Sequence, residues 1–284
     1  MKKILITGAN SYIGTSFEKF MENFSDYEID TVDMIDGTWR EKDFSEYDVV
    51  FHVAGIAHAD VKNVSEETKK KYYAVNTDLT VETAEKAKEN GVGQFIFMSS
   101  MIVYGSSDEC VTKETEPHPD NFYGDSKLRA DIGIHKLESE SFKVVSVRPP
   151  MIYGKGSKGN YPLLSKFAKK MPIFPNYENK RSMLYIENLC GFIKLMIDNN
   201  ENGYFYPQNR EYVKTADLAA KISEVSGKKL ILTKVFNPFI SLLRNNAYIR
   251  KIFGNRYYDI SMSDYDNFDY CRYGFEESII RTER

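Results

Sequence analysis

A tyrosine and a lysine four residues apart, Tyr123 and Lys127 in FYGDSKL, are side chains whose types and spacing could do chemistry together. Residues i and i+4 share one face of a helix, so this phenol and ammonium could contact the same small molecule. The same spacing also occurs on solvated helix surfaces that have no function. The elements around the pair decide between these interpretations.

The chain before residue 150 alternates between short aliphatic runs and segments with helical periodicity. Five runs are predicted to be strands: KILIT, EIDTVDM, DVVFHVAG, QFIFMSS and FKVVSVRPP. Nearly continuous apolar runs are typical of parallel strands that are buried on both faces. The alternation predicts an α/β fold with a Rossmann-type, doubly wound parallel sheet over residues 1–150.

Beyond Pro150 the regular alternation stops. We expect residues 151–284 to form a smaller substrate-binding lobe that is partly interleaved with the first domain. Near its end, the stretch NPFISLLRNNAYIRKIFGNRYY is apolar and basic together. Such a stretch could touch a membrane surface or a neighbouring subunit, but the sequence favours a packed pair of helices.

The composition disfavours several classes of protein. A hydrophobic fraction of 42% supports a globular core, and a formal net charge of -3 with mixed signs gives no basic stripe for nucleic acid. Three widely spaced cysteines fit neither a disulfide framework nor a CxxC metal site, so we expect a cytoplasmic protein without a metal. No run approaches the roughly 20 apolar residues of a membrane helix, and the N-terminal apolar run is too short for a signal peptide.

The turn GANSYIG follows the first predicted strand and opens a helix, where a dinucleotide-binding fold holds the pyrophosphate. Gly8 and Gly14 fit this pattern, but Ser11 stands where a third glycine is expected, and its Cβ narrows the approach of the backbone. Asp33 follows the glycine-containing turn at about the sequence spacing at which an acidic residue holds the ribose 2′-hydroxyl of NAD. A carboxylate at this position would repel the additional phosphate of NADP. NAD is therefore favoured over NADP, although Arg40 could complicate the choice.

Two further segments are suited to a nucleotide. Asp43 and Phe44 are placed to contact the edge and the face of an adenine. Ala54 and Gly55 end the third predicted strand with small residues, which would let a flat cofactor lie close.

The motifs TGANSYIG, HVAGIA, VNTDL, MSSMIVYG, FYGDSK and VRPPMIYG resemble, in this order and spacing, the extended short-chain dehydrogenase/reductase family. The likeness is strongest to its NAD-dependent nucleotide-sugar epimerases and dehydratases, and RSMLYIENL and YGFEESI extend it over nearly the whole chain. The resemblance implies that Tyr123 is the catalytic acid/base, that Lys127 is its partner and that Ser100 completes the triad. It also implies a homodimer.

The resemblance implies cofactor contacts along the whole first domain. They are Gly8, Asn10, Ser11, Tyr12, Ile13, Gly14, Asp33, Asp43, Phe44, Val53, Ala54, Gly55, Asn76, Tyr123, Lys127 and Pro150. For Asn76 the role is to steady the loops on the cofactor side, and a helix N-cap is an equally good interpretation. Lys127 is expected to hydrogen-bond the nicotinamide ribose.

The pKa of Tyr123 has to be low for this chemistry. A free tyrosine titrates near pH 10, so it is a poor base at neutral pH. We expect the Lys127 ammonium and the charge of the oxidised nicotinamide to favour the phenolate and to lower this pKa. Ser100 is expected to hydrogen-bond the sugar oxygen at C4, whereas Ser99 is expected only to cap a strand end.

The implied chemistry is hydride transfer from C4 of a sugar to NAD, which gives a 4-keto intermediate. The 4,6-dehydratases carry an Asp-Glu pair after the catalytic Ser or Thr, and Met101 and Ile102 stand there instead, so dehydration is not expected. Two readings stay open: an NAD-dependent nucleotide-sugar 4-epimerase, acting on a UDP-hexose or UDP-N-acetylhexosamine, and a 4-ketosugar reductase or dehydrogenase. We favour the epimerase. The intact triad disfavours a nucleotide-binding regulator without catalysis.

Substrate contacts are implied for the second domain as well. Arg181 in KRSMLYIENL matches the family arginine that binds the nucleotide diphosphate, and a guanidinium suits a phosphate through paired hydrogen bonds. Lys158 and Asn160 lie in a glycine-rich segment that contacts the nucleotide and sugar in the family. Met151 and Ala57 depart from residues of galactose-type epimerases, which indicates a divergent branch that serves polysaccharide biosynthesis.

Overall fold

The fold is described from a computed structural model, which describes residues 1–57 and 64–284. The chain forms two compact units. The sheet unit comprises Met1–Ser106, Thr115–Pro149 and Cys190–Tyr206. The second unit comprises Ser107–Glu114, Pro150–Leu189 and Pro207–Arg284.

The strands and helices follow one another in a mixed order. The strands are β1 (Lys2–Thr7), β2 (Tyr27–Val32), β3 (Val49–His52), β4 (Gln94–Met98), β5 (Cys110–Val111), β6 (Lys143–Val147), β7 (Met151–Tyr153), β8 (Ile173–Pro175), β9 (Met183–Tyr185), β10 (Gly203–Phe205), β11 (Ile231–Thr233) and β12 (Tyr257–Tyr258). The helices are α1 (Tyr12–Met21), α2 (Glu66–Tyr73), α3 (Leu79–Glu89), α4 (Phe122–His135), α5 (Asn160–Ala168), α6 (Ile186–Asp198), α7 (Thr215–Val225), α8 (Asn237–Leu242), α9 (Ala247–Phe253), α10 (Ile260–Ser263) and α11 (Phe275–Glu283).

The sheet unit is built on a parallel sheet with the strand order β10-β6-β4-β3-β1-β2. The register pairs Thr7 of β1 with His52 of β3 and with Val32 of β2, so these three strands end at one level. All five strands predicted before residue 150 are present, which confirms the doubly wound sheet. The short sixth strand, β10, lacks an apolar run long enough to be predicted. The order in which successive strands are added to the sheet reverses between β1 and β3, and ligands of such sheets bind at this switch point.

Helices cover both faces of the sheet. One face places Val50 in a buried cluster with Ala84 of α3 and Ala130 of α4. Because side chains alternate along a strand, Phe51 faces the other way, where its ring meets the edge of Phe17 from α1 at 5.1 Å between centroids. Burial on both faces explains why the strands are nearly continuous in apolar residues.

The helical segment before β4 begins well ahead of Asn76. Helices α2 and α3 are joined by a π-helical turn over Ala74–Asp78, which contains Asn76. The interpretation of Asn76 as a helix N-cap is therefore wrong, because the helical backbone already begins at Glu66, where Ser65 is the cap. Single π-helical turns within α-helices are frequent at functional sites.

The second unit contains three short parallel strand pairs, β5 with β12, β7 with β9 and β8 with β11. Helices α8 and α9 form as predicted, but they are not a packed pair. Ile240 is the buried residue of α8, and α9 has no buried residue among its seven.

Over residues 1–57 and 64–284, none of the helices has the length and apolar character that crossing a bilayer requires.

Candidate active site

The turn after β1 lies directly against the loop after β3. Gly8 has a φ of 109°, a conformation that favours glycine. A Cβ at Gly8 would lie 2.8 Å from the main-chain nitrogen of Ala54. The nitrogens of Val53 and Ala54 both donate hydrogen bonds to the Thr7 carbonyl at 3.0 Å. The two glycine-containing segments predicted to face a cofactor are therefore brought together at the switch point of the sheet.

The serine in the place of the third glycine is used as a helix cap. Ser11 Oγ accepts a hydrogen bond from the Gly14 nitrogen at 3.1 Å and so begins α1, in which Tyr12 and Ile13 are the first residues. A Cβ at Gly14 would lie 2.7 Å from this oxygen and 3.3 Å from Val53 Cγ2. Gly14 thus allows the close packing of helix and strand that the motif requires.

Asp33 follows β2 immediately and is exposed. One carboxylate oxygen accepts a hydrogen bond from the Ile35 nitrogen at 2.7 Å, which fixes the side chain at the end of the strand. Arg40 is held by Glu82 of α3 through two hydrogen bonds, of which the one from Nη2 measures 2.6 Å. This ion pair engages the guanidinium that could otherwise have bound the 2′-phosphate of NADP.

The predicted adenine contact needs a correction. Phe44 is fully buried, its ring lies 6.5 Å from that of Trp39, and both belong to the core of the sheet unit. The prediction that the Phe44 ring stacks on an adenine is wrong, because that ring is part of the core. Asp43 beside it is exposed and accepts a hydrogen bond from the Ser45 nitrogen at 2.8 Å.

Ser100 and Tyr123 are brought together as predicted. Ser100 ends the segment after β4, where its Oγ accepts a hydrogen bond from the Ile102 nitrogen at 3.3 Å. Tyr123 lies in the first turn of α4, which Asn121 caps by accepting from the Gly124 nitrogen at 2.9 Å. Burial raises the pKa of Tyr123 to about 12, and the neighbouring Ser100 side chain acts in the opposite direction. Protein side chains alone therefore do not give Tyr123 the lowered pKa that the sequence predicts.

Lys127 is a buried cation. Its Nζ donates to the Met98 carbonyl at 2.9 Å and lies 4.5 Å from the centroid of the Phe97 ring. Burial lowers the pKa of Lys127 to about 8, and the carboxylate of Asp131 acts in the opposite direction. A Cβ at Gly55 would lie 3.1 Å from Nζ, so the loop after β3 passes directly over the ammonium.

Asn76 connects this loop to the helix that carries Tyr123. Its side chain is fully buried; Oδ1 accepts from the Ile56 nitrogen at 2.8 Å, and Nδ2 donates to the Ile56 carbonyl at 3.0 Å. Nδ2 also donates to Ser126 Oγ on α4 at 3.0 Å. The asparagine thereby holds the Gly55 loop over Lys127.

A buried network that the sequence analysis missed lies beneath the triad. Ser99 Oγ donates to Asp131 Oδ2 at 2.9 Å, and Arg148 Nε donates to the same oxygen at 3.0 Å. Arg148 Nη1 also donates to Tyr104 Oη at 2.8 Å. The Ser99 hydroxyl therefore hydrogen-bonds a carboxylate side chain and does not form the backbone cap at the strand end that the sequence predicts. The sequence contained one indication of this network, the carboxylate of Asp131 one turn after Lys127 on the same helix.

The predicted substrate residues belong to the second unit. Arg181 Nη1 donates to the carbonyls of Lys251 at 3.0 Å and Gly254 at 3.2 Å. Burial and the neighbouring Arg256 guanidinium lower the pKa of Arg181. The two neighbouring guanidinium groups, Arg181 and Arg256, favour a bound anion. Sequence reasoning did not identify Arg256 as a site residue.

The other predicted contacts of this unit differ in their exposure. Lys158 is exposed and Asn160 is the exposed first residue of α5, so both are open to solvent. Pro150 is buried at the start of the second unit, next to β7.

Comparison with known proteins defines the class. Residues 4–207 match the model of the NAD dependent epimerase/dehydratase family. The chain belongs to this family.

Similar proteins include several 4-epimerases. The chain is 32% identical over 247 residues to the UDP-glucose 4-epimerase of Vibrio cholerae, which covers 78% of this chain and 75% of that protein. It is 28% identical over 251 residues to the N-acetyl-α-D-glucosaminyl-diphospho-ditrans,octacis-undecaprenol 4-epimerase of Escherichia coli O157:H7, covering 80% of this chain and 73% of that protein. The crystal structure of UDP-N-acetylglucosamine 4-epimerase from Bacillus cereus shares the fold with a TM-score of 0.73 at 20% identity, over 100% of this chain and 96% of that one.

Proposed function

We propose that this protein is an NAD-dependent nucleotide-sugar 4-epimerase that acts through a transient 4-keto sugar. The observation that carries the proposal is the Tyr123 side chain beside the Ser100 hydroxyl, followed one turn later on α4 by the buried Lys127. Membership of the family and the relatives that are 4-epimerases support the same reaction. The sheet unit would hold NAD, and the second unit would hold the sugar nucleotide.

The residues of the sheet unit fit a dinucleotide. The Gly8 turn leaves no room for a Cβ against Ala54 and leads into the N-terminus of α1, an end of a helix that favours a diphosphate. The exposed Asp33 carboxylate is suited to a ribose 2′-hydroxyl, and the pairing of Arg40 with Glu82 disfavours a 2′-phosphate. We therefore assign NAD rather than NADP.

Each catalytic side chain has a separate task. NAD, when bound, accepts a hydride from C4 of the sugar and returns it. Tyr123 takes the proton of the C4 hydroxyl and gives it back, and Ser100 hydrogen-bonds the same sugar oxygen. Because burial raises the pKa of Tyr123 to about 12, the phenolate needs a nearby positive charge at the moment of transfer. Lys127 would hydrogen-bond the nicotinamide ribose. Its ammonium donates to the Met98 carbonyl and lies over the Phe97 ring, and both interactions favour the charged form.

Epimerisation is favoured over the other fates of a 4-keto sugar. The residues after Ser100 are the buried Met101 and the partly buried Ile102, and neither can act as an acid or base for loss of water. A ketoreductase would use the same triad but would have to exchange its cofactor at every turnover. A requirement for added reduced cofactor would therefore distinguish the alternative reductase from the epimerase.

We propose that Arg181 and Arg256 bind the diphosphate of the substrate, with Lys158 and Asn160 close to the nucleotide and sugar. The like-charged pair in the second unit supports this assignment, since burial and then repulsion by Arg256 lower the pKa of Arg181, and a bound anion would offset both. A diphosphate is common to UDP-sugars and to the lipid-linked sugar in the name of the Escherichia coli relative. The assay below includes both.

The protein is further proposed to be a cytoplasmic homodimer. Cys110, Cys190 and Cys271 form no disulfide with one another, which suits a reducing compartment. Ile132 on the outer face of α4 is 48% exposed and could be covered by a second copy. Sedimentation velocity of the chain and of Ile132→Asp would test the dimer: loss of a dimer in the variant is expected, and a monomeric parent would contradict it.

The deciding experiment is proton NMR of the purified protein with UDP-glucose, UDP-N-acetylglucosamine and a polyprenyl-diphosphate N-acetylglucosamine, without added cofactor. Appearance of a C4 epimer is expected and would establish retained NAD and a returning hydride. If no sugar changed until NADH or NADPH and a 4-keto sugar nucleotide were supplied, the reductase would replace the epimerase.

A further inference from the structure

One segment of the second unit has a charge unlike the rest of the chain. Residues 225–258, between Glu224 and Asp259, contain no aspartate or glutamate, although the whole chain has a net charge of -3. The same segment contains Lys228, Lys229, Lys234, Arg244, Arg250, Lys251 and Arg256. It is therefore a local cluster of positive charge without an acidic residue of its own.

The same segment exposes large apolar side chains to solvent. Those on and around α8 and α9 with the largest exposed fractions are Val235 (71%), Phe239 (66%), Leu242 (80%), Leu243 (50%) and Tyr248 (67%). Contiguous exposed apolar residues of this size mark interaction sites in most proteins. We call residues 234–252 the basic apolar face.

The opposite side of the segment is firmly attached to its own unit. Ile240 is 6% exposed, and the ring of Phe253 lies 5.8 Å from that of Phe174 and 6.0 Å from that of Tyr177. Asn237 Nδ2 donates to the Asn176 carbonyl at 3.0 Å. These contacts attach α8 and the C-terminal end of α9 to the rest of the second unit, and the exposed side chains lie on the other side of the segment.

Charge decides which partner fits this face. A second copy of the same face would bring two clusters of positive charge together, which is repulsive. An anionic bilayer surface offers both requirements at once, since lipid phosphates attract Lys and Arg and the acyl boundary accepts Phe, Leu and Tyr. We propose that the basic apolar face docks the protein on the surface of a membrane that contains anionic lipids.

Docking through this face does not require catalysis, so its test is independent of the proposed function. The purified chain is sedimented with vesicles of phosphatidylcholine alone and with vesicles that also contain phosphatidylglycerol, each at low and high salt. We expect at least about tenfold stronger binding to the anionic vesicles and weaker binding at high salt.

Two double variants separate the contributions. Phe239→Ser with Leu242→Ser should weaken vesicle binding by about a hundredfold, because each side chain loses roughly a tenfold contribution from burial of apolar area. Arg244→Glu with Lys251→Glu should weaken binding to anionic vesicles by at least about tenfold and remove its salt dependence.

Matched controls come from exposed residues of the sheet unit. Ile35→Ser removes a side chain that is 93% exposed, and Lys136→Glu reverses a charge at the end of α4. Both should bind vesicles like the parent chain, and circular dichroism should show that every variant is folded.

Equal binding of neutral and anionic vesicles, or variants that bind as well as the parent, would overturn the proposal. So would a failure to bind vesicles combined with a dimer that the apolar double variant abolishes. That outcome would identify a second copy of the chain as the occupant of the face.

Discussion

Replacement of the buried Lys127 by methionine should stabilise the protein while it abolishes turnover. Lys127 is 6% exposed, and its pKa falls from its ordinary value of 10.5 to about 8. At about 1.4 kcal/mol per pH unit, this lowering corresponds to about 3 kcal/mol of unfavourable free energy for the charged side chain. Met98 loses a hydrogen bond worth about 1 kcal/mol. The free energy of unfolding of Lys127→Met should therefore exceed that of the parent by about 2 kcal/mol at about pH 7.

The advantage of the variant should depend on pH in one direction only. Between the folded pKa of about 8 and the unfolded pKa of 10.5, the unfolded chain binds more protons at Lys127 than the folded chain. The stability contributed by this residue in the parent therefore rises with pH across that window, and below it the cost is fully present. The difference between variant and parent should stay constant below about pH 8 and shrink towards pH 10.5.

Urea unfolding of both proteins from neutral pH to about pH 10 measures this difference, and titration of all other groups cancels between them. Lys136→Met is the control, because Lys136 is exposed at the end of the same helix. Its replacement should change the free energy of unfolding by no more than about 0.5 kcal/mol, as for most surface substitutions. A Lys127→Met protein that is less stable than the parent at neutral pH, or a difference that does not change with pH, would refute the reasoning.

Three further substitutions test the triad, the turn and the buried network. Tyr123→Phe should lower kcat by about a thousandfold in the NMR assay, while NAD affinity measured by calorimetry is retained. Gly8→Ala should reduce the free energy of unfolding by about 3 kcal/mol, because φ is 109° and the new Cβ meets a main-chain nitrogen at 2.8 Å. Asp131→Asn should reduce it by about 3 to 5 kcal/mol in urea unfolding, because the Arg148 guanidinium would stay buried without its anionic partner.

The chain supplies a control for two of these changes. Gly91 also has a positive φ of 79°, but a Cβ added there would meet no atom within 4 Å, so Gly91→Ala should cost only about 1 kcal/mol. Equal losses for Gly8→Ala and Gly91→Ala would show that the approach of the two loops has no energetic weight. Asp125 pairs with Arg129 on the surface, so Asp125→Asn should cost less than about 1 kcal/mol. A similar cost for Asp131→Asn would contradict a buried ion pair.

The amino-acid sequence by itself determined the parallel sheet, because strands that are buried on both faces must be apolar along their whole length. It also placed Gly8 in a turn, Gly14 at the start of the helix that follows, and Tyr123 and Lys127 one turn apart on a helix. These are local properties, which depend on residue type and spacing over a few residues. The motif spacing was enough to name the family to which the chain belongs.

Only the tertiary structure decided what these residues contact. Phe44 became a core residue, Asn76 became the link between the Gly55 loop and α4, and Arg40 was bound by Glu82. Each of these contacts joins residues that are at least 20 positions apart or buries a side chain against distant elements. The spacing of residues along a strand or helix contains no information about such partners.

The pKa values show the same division. The sequence indicated that Tyr123 and Lys127 interact with a common ligand, but their pKa values follow from burial, which raises the first to about 12 and lowers the second to about 8. Burial is a property of the packed chain, since it removes water that the isolated helix would keep. The sequence determined which groups stand at the site, and packing decided their pKa values.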